Sequence, residues 1–325
     1  MIKIRCMTID DLPLGLGLSR QAGWNQTESD WRRFMSMEPE GCFVAEFNGS
    51  SVGTTTTCVF GHQVAWIAMV LVDKNVRGRG IGTGLLKHAL DYLKERKVGT
   101  VRLDATPAGR PIYEKLGFVP EYELARWWRG RPGLACRRHL AGGREQGQDA
   151  LATGIVREGG CGEAVPALRP AGILPAVGNK GKMPALQIAT QDVFSDLIEF
   201  DRRMTGTDRA KMLGRLFEEF PELVRCVRQG GKVEGYAAAR PGANAIQAGP
   251  CIATASAGPS LLSDTLNRCA GKPVFVDIPL DNAPAVKIAE SSGLRVQRCF
   301  TRMCMGERIN DNVHAIWASS GPEKG

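Results

Sequence analysis

The sequence predicts an α/β (α+β) fold in tandem, two domains that each hold a mixed central sheet between helices. Three observations carry that prediction. A strongly apolar strand-like run, Val64–Val72, leads through a glycine-rich turn into a helical pattern; one order of helical and strand-like segments is read twice; and a stretch without periodicity separates the two readings. At 325 residues the chain exceeds one ordinary core and suits two. With 43% hydrophobic and 23% charged residues, wholesale disorder and fibrous architectures are excluded.

Asp10-Asp11-Leu12 opens a first helix. Thr27-Glu-Ser-Asp30 has the form of a capping box, in which side chains at both ends satisfy backbone donors, ahead of a second helix that continues through Trp31 and Phe34. Cys42–Phe47 and 52–60 are strand-like, and Asn48-Gly49 between them favours a tight hairpin, so the two strands are expected to pair antiparallel. Val64–Val72 reads as a buried strand, 80–96 as a helix, Thr100–Ala105 as a strand, and 111–116 as a short helix ended by Gly117. A strand after it completes the order α-α-β-β-β-α-β-α-β.

From Arg129 to Pro184 the periodicity fails, and Val165-Pro-Ala-Leu, Ile173-Leu-Pro-Ala and Met183-Pro-Ala-Leu echo one another. This composition predicts a disordered linker over 131–185 between a first domain, 1–130, and a second, 186–310, with 311–325 as a tail. Excision of 135–182 is expected to leave folding intact, because polar inserts make few packed contacts. Beyond the linker come helices near 190–204 and 208–219 and strands at 223–228, 233–240 and 245–253. A helix at 259–270, a strand at 273–278, a helix at 282–291 and a strand at 294–305 complete a second copy of the order.

The longest apolar run falls well short of the roughly 20 residues a membrane-spanning helix needs. The opening Met1-Ile-Lys-Ile-Arg lacks the apolar centre of a secretory signal, so cytoplasmic residence without membrane association is expected. Ten cysteines occur without a Cys-x-x-Cys pair, and only four histidines accompany them. They read as thiols in a reducing compartment, with no metal site. Of the net charge of +8, residues 131–185 supply +4, from eight basic against four acidic residues. No basic motif interleaved with aromatics appears, so no nucleic-acid partner is expected.

The chemistry concentrates in Val70-Leu-Val-Asp-Lys-Asn-Val-Arg77-Gly78-Arg79-Gly80-Ile81-Gly82-Thr83-Gly84. Small residues let the backbone approach an anion, and the amides of a helix N-terminus present partial positive charge to it. Arg77 and Arg79 add full charges. No Lys followed by Ser or Thr occurs, which removes a Walker A loop. The glycines run at spacing two, and Leu85 stands where a dinucleotide fingerprint needs its third Gly, which argues against NAD.

Arg77-Gly-Arg-Gly80-Ile-Gly82 instead resembles the Arg/Gln-x-x-Gly-x-Gly/Ala pyrophosphate loop of the GNAT (GCN5-related) N-acetyltransferase superfamily. About 30 residues further on, Tyr113-Glu-Lys-Leu-Gly117-Phe118 resembles that family's Tyr-x-x-x-Gly-Phe. The resemblance implies tandem GNAT-like domains with a partly splayed sheet and acetyl-CoA as cosubstrate. By the same resemblance Val70, Leu71 and Val72 would meet the pantetheine arm, residues Arg77, Gly78, Arg79, Gly80, Ile81, Gly82 and Thr83 would hold pyrophosphate, and Tyr113 would be the general acid. A phenol protonated at neutral pH suits that role. Asp104, at the end of its strand, is a candidate base, and Trp24 and Asn25, between the early helices, are candidates for the acceptor pocket.

In the second copy Ala289 takes the Tyr position, and Ala253, Ser256 and Gly258 stand opposite Arg77, Gly80 and Gly82. An active first repeat and a degenerate second are therefore expected, the latter shaping the acceptor site or a subunit interface, which leaves a homodimer open. A side chain at Gly258 is expected to leave CoA binding intact. The expected function is acetyl transfer to a primary amine of a small molecule. The alternatives are a non-catalytic acyl-CoA-binding sensor, which would not need Tyr113, and a protein or peptide N-acetyltransferase.

Overall fold

A computed structural model describes residues 1–130 and 186–325, so the predicted linker lies outside the described residues. In the first half, β1 (Ile2–Cys6) precedes α1 (Leu12–Gln21) and α2 (Glu28–Met37). The Thr27 capping box forms: the Thr27 hydroxyl accepts from the Asp30 amide at 3.4 Å, and the Asp30 carboxylate accepts from the Thr27 amide at 2.9 Å. Then follow β2 (Cys42–Phe47), β3 (Ser50–Phe60), β4 (Val64–Val72), α3 (Ile81–Glu95), β5 (Thr100–Ala105), α4 (Arg110–Lys115) and β6 (Val119–Arg129).

The second half repeats this sequence of elements with β7 (Leu186–Ile188), α5 (Phe194–Thr205), α6 (Ala210–Glu219), β8 (Arg225–Gln229), β9 (Lys232–Arg240) and β10 (Ile246–Ala253). It continues through α7 (Gly258–Arg268), β11 (Val274–Pro279), α8 (Ala283–Ser291) and β12 (Arg295–Gly306). An additional strand, β13 (Ile316–Ala318), lies in the segment read from sequence as a tail. The short edge strands β1 and β7 are additions to the predicted order.

The repeats do not form separate sheets. One 13-stranded sheet runs β1-β2-β3-β4-β5-β12-β6-β11-β10-β9-β8-β7, with β13 against β10. Each repeat lends its last long strand to the other: β12 pairs antiparallel with β5, and β6 pairs antiparallel with β11. The exchanged strands also pair with each other at the centre. Matched buried ion pairs lock the exchange. Arg302 of β12 donates to both oxygens of Asp104 on β5 at 2.9 and 3.0 Å, and Arg126 of β6 donates to both oxygens of Asp277 on β11 at 2.7 and 2.9 Å.

Three apolar clusters cover the sheet. One lies under α3 and α4, and one under α7 and α8. The third joins Trp31 and Phe34 of α2 to Leu197, Phe200 and Leu213 of α5 and α6, so both repeats share it. Among the described residues no helix is long and apolar enough to cross a membrane.

Arg129 and Leu186 end on strands five positions apart in the sheet, about 24 Å across at the usual strand spacing of about 4.8 Å, and the registers offset them by about six residues, roughly 20 Å, along the strands as well. Excision of 135–182 leaves eight residues to cross that distance, and their fully extended reach is about 28 Å. This revises the expectation that the excision is harmless. The deletion should lower the melting temperature in a thermal scan, whereas a shorter deletion that keeps roughly ten more residues should melt with the parent chain.

Candidate functional site

β4 and β5 are parallel but pair only through Val64–Thr100, Ala65–Val101 and Trp66–Arg102, and beyond Trp66 they part. The parting coincides with a bulge in β4, where three steps from Ala68 to Leu71 oppose two from Thr56 to Thr54. Met69, buried at the bulge, has φ 53°, the left-handed region that costs a non-glycine residue free energy. The run Thr54-Thr-Thr-Thr57 supports this backbone. Thr54 Oγ1 donates to the Met69 carbonyl at 3.0 Å and Thr55 Oγ1 to the Ala68 carbonyl at 3.3 Å.

The strands part around a cleft of ≈ 60 Å³. Ile67, Ala68, Met69 and Val70 form one wall, Leu103, Asp104 and Tyr113 another, and Trp24 and Gln26 reach in from the loop between α1 and α2. Arg126 of β6 faces the cleft with residues from the second half of the chain: Arg298 and Phe300 of β12, and Pro322 and Glu323 of the C-terminal segment. Each repeat alone would leave the cleft incomplete.

Tyr113 lies in α4 and packs edge-on to Phe118, with ring centroids 5.8 Å apart. Its hydroxyl has no hydrogen-bond partner among the described residues, and burial pushes the phenol above its usual value. Leu71 and Val72 are buried, and beyond them Gly80 (φ 77°) caps the N-terminus of α3 without a side-chain bond. A Cβ at Gly80 would meet nothing within 4 Å, so the approach to this helix end is open. Arg77 turns back on the loop, its Nε donating to the Val72 carbonyl at 3.0 Å, and Arg79 lies over the Phe47 ring at 5.4 Å.

Two candidates occupy positions that their sequence context did not reveal. Asp104 does line the cleft, but both oxygens are engaged by Arg302; burial pushes its carboxyl up, while that guanidinium opposes the shift. Asn25 is corrected as a pocket residue. Its side chain accepts from the Asn244 and Ala245 amides at 2.9 and 3.0 Å and donates to the Ala245 carbonyl at 3.0 Å, so it clamps a loop of the second repeat. Trp24 does reach the cleft.

The sequence reading missed Gln26, Arg298, Phe300 and Glu323. Gln26, next to Asn25, was within reach of local inspection, while the other three arrive through strand exchange and a long-range fold-back. The segment read as a tail is buried there: Trp66 Nε1 donates to the Pro322 carbonyl at 2.9 Å, Lys324 Nζ to Asp30 at 3.2 Å, and Arg209 Nη1 to the Gly325 carbonyl at 2.6 Å. Arg240 also pairs with Glu323.

In the second repeat β10 and β11 pair only at Ile246–Val274, Gln247–Phe275 and Ala248–Val276 before parting in the same way. Here the gap is filled. β13 pairs with β10, Ser319 donates its amide to the Asp277 carbonyl at 2.8 Å, and Trp317 Nε1 donates to the Ala253 carbonyl at 3.2 Å. A Cβ built on Gly258 would stand 1.8 Å from Trp317 Cε2, so this glycine serves indole packing. The expectation for Gly258 concerned CoA binding alone; the indole contact adds that a side chain there would disturb the fold. Gly258→Val should destabilise the fold by about 1–3 kcal/mol or more, read as a lower urea midpoint with an unchanged slope.

Comparison with known proteins agrees with this doubled architecture. The sequence model of the Acetyltransferase (GNAT) family matches residues 13–118, and that of an Acetyltransferase (GNAT) domain matches 197–318. The chain is similar to the holothin acyltransferase of Pseudoalteromonas sp. (strain SANK 73390), 24% identical over 308 residues, 93% of this chain and 87% of that protein. It is also similar to an N-alpha-acetyltransferase of Arabidopsis thaliana, 31% identical over 104 residues, 30% of this chain and 55% of that one. The crystal structure of a putative acetyltransferase from Pyrococcus horikoshii shares the fold with a TM-score of 0.69 at 20% identity, covering 100% of this chain and 96% of the other.

Proposed function

The chain belongs to the GNAT acetyltransferase family, and from that premise we propose that its first repeat transfers acetyl from acetyl-CoA directly to a primary amine of a small molecule, while the second repeat serves as scaffold. The observation that carries this reading is the contrast between the repeats. Where β4 and β5 part there is a cleft edged by Tyr113, and where β10 and β11 part there is a plug of β13 and Trp317. A binding protein without turnover would have no use for the phenol, whose counterpart is Ala289.

The residues present fit the cosubstrate. Gly80 ends α3 without a capping side chain, so the amides of Ile81, Gly82 and Thr83 are available for a pyrophosphate, and the open space at Gly80 admits it. Backbone groups of Val70, Leu71 and Val72 would line the pantetheine arm. The β4 bulge interrupts its ladder to β3, which suits its backbone to a thioester carbonyl. When bound, acetyl-CoA supplies an activated acyl group.

Tyr113 would give its proton to the departing thiolate as the amine nitrogen bonds to the acetyl carbon and the carbon–sulfur bond breaks. Burial keeps that phenol protonated through neutral and mildly alkaline pH. Because Asp104 is committed to Arg302, removal of the ammonium proton falls to water in the open cleft. Phe300, Pro322 and Glu323 wall the acceptor side, which favours a small acceptor over an extended chain. The Arabidopsis relative favours a second reading, in which the acceptor is a protein or peptide N-terminus.

Acetyl-CoA at a hundredfold excess over its Kd should stabilise the protein by about 2.7 kcal/mol, seen as a raised Tm, whereas NAD and ATP should not. Equal shifts from all three would remove the cofactor assignment. Tyr113→Phe should keep acetyl-CoA affinity but slow single-turnover acetyl transfer by about 100- to 10,000-fold. A parent-like single-turnover rate would reduce Tyr113 to a packing residue.

A further inference from the structure

Three residues that line the cleft each carry a buried polar atom without a hydrogen-bond partner among the described residues: Gln26 Oε1, Glu323 Oε2 and Arg298 Nε. Unpaired buried polar atoms are costly and uncommon in native structures, and three of them on residues that line one cleft point to a ligand that satisfies them. Their chemistry is divided. Two are acceptors and one belongs to a permanent cation.

Gln26 is 6% exposed and Glu323 is 3% exposed. Glu323 Oε1 is held by Arg240 and by Lys324 at 3.4 Å, which leaves Oε2 as its free oxygen. Burial alone would raise this carboxyl, but Lys324 and Arg240 outweigh that and hold it below the usual range, so it is ionised at neutral pH. Arg298 stands directly across from Arg126 in the β12–β6 ladder. Arg126 is committed to Asp277 by two hydrogen bonds, whereas Arg298 has no carboxylate within ion-pair distance among the described residues. Burial and the Arg126 charge push Arg298 down to about 10, against a smaller upward pull from Asp277.

We propose that the acceptor is a zwitterion of the free amino acid class, its ammonium received by Glu323 Oε2 and Gln26 Oε1 and its carboxylate by Arg298. The proposal rests on the acetyl-transfer reading above and narrows its substrate. An ammonium carries three donors and lacks acceptors, which matches the two orphan oxygens, and a carboxylate fits the paired donors of a guanidinium. Both charges of the ligand would then be paired inside the cleft, as burial requires. Glu323 here contacts the substrate directly. Its depressed carboxyl holds the ammonium until water takes the proton, after which the neutral amine can attack.

The test measures CoA release with acetyl-CoA and the common L-amino acids, their α-amides, the corresponding decarboxylated amines, and short peptides. The best amino acid should exceed its own amide and its decarboxylated amine in kcat/KM by about 10- to 100-fold, the range a charge-assisted contact gives. Arg298→Leu should collapse the acid-over-amide preference toward unity, and Arg298→Lys should restore part of it. Glu323→Gln should raise KM for the amino acid more than it lowers kcat. Calorimetric titration of the protein–CoA complex with the amino acid and its amide reads the same preference without turnover.

Equal use of acid and amide, a preference for peptides, or a preference that survives Arg298→Leu in a folded variant would each overturn the zwitterion while leaving acetyl transfer standing. If acetyl-CoA binds but no amine in the panel is acetylated, the acetyl-transfer reading falls and takes this one with it.

Discussion

The architecture depends on two ion pairs that mirror each other, Asp104 with Arg302 and Asp277 with Arg126. Each joins a strand of one repeat to the last long strand of the other, and each lies in the sheet interior where an unpaired charge would be strongly unfavourable. The guanidiniums are also stacked: Arg302 over Trp66 at 4.7 Å and Tyr122 at 5.2 Å, Arg126 over Phe275 at 5.0 Å and Phe300 at 5.6 Å. Such bidentate pairs specify register as well as partner, because a one-residue slip would turn both charges to the wrong face. A sheet that could have closed as two units is thereby held as one.

That exchange decides what surrounds the cleft. Because β12 lies next to β5, Arg298 and Phe300 face a pocket whose other walls come from β4, β5 and α4. The C-terminal segment then does two things in about ten residues. β13 and Trp317 occupy the gap between β10 and β11, and Pro322 and Glu323 close one side of the cleft beside β4. The second repeat is therefore a structural component of the first repeat's site even though its own opening is filled.

The two openings show how packing separates related backbones. In both, parallel strands pair for three residues and then part, and in both the bordering strand carries an irregular register. One gap keeps its polar lining and an open helix end at Gly80. The other receives an indole against Gly258 and becomes ordinary core. Filling with apolar side chains stabilises by burial but forfeits the concavity a ligand needs.

Much of this molecule is legible in its letters because the relevant physics is local. Hydrophobic period located β2, β4 and β5 at the limits they have, the Thr27 box announced α2, and the glycine spacing announced the end of α3 that favours an anion. Tyr113 stands out through the resemblance of Tyr113–Phe118 to the Tyr-x-x-x-Gly-Phe pattern, a signal contained in six consecutive residues. The fate of Asp104 was not legible, since its partner Arg302 is 198 residues away and becomes a neighbour only through strand exchange. Asn25 reads as a loop residue of the first repeat until the loop at 244–245 packs on it. Glu323 reads as part of a polar end until the chain folds back across both repeats. Local propensity determined which elements form and where the glycine-rich loop lies. Strand order and the path of the C-terminal segment are set by contacts between residues far apart in sequence, and so only the tertiary structure decided which charges are spent in holding the sheet and which line the cleft.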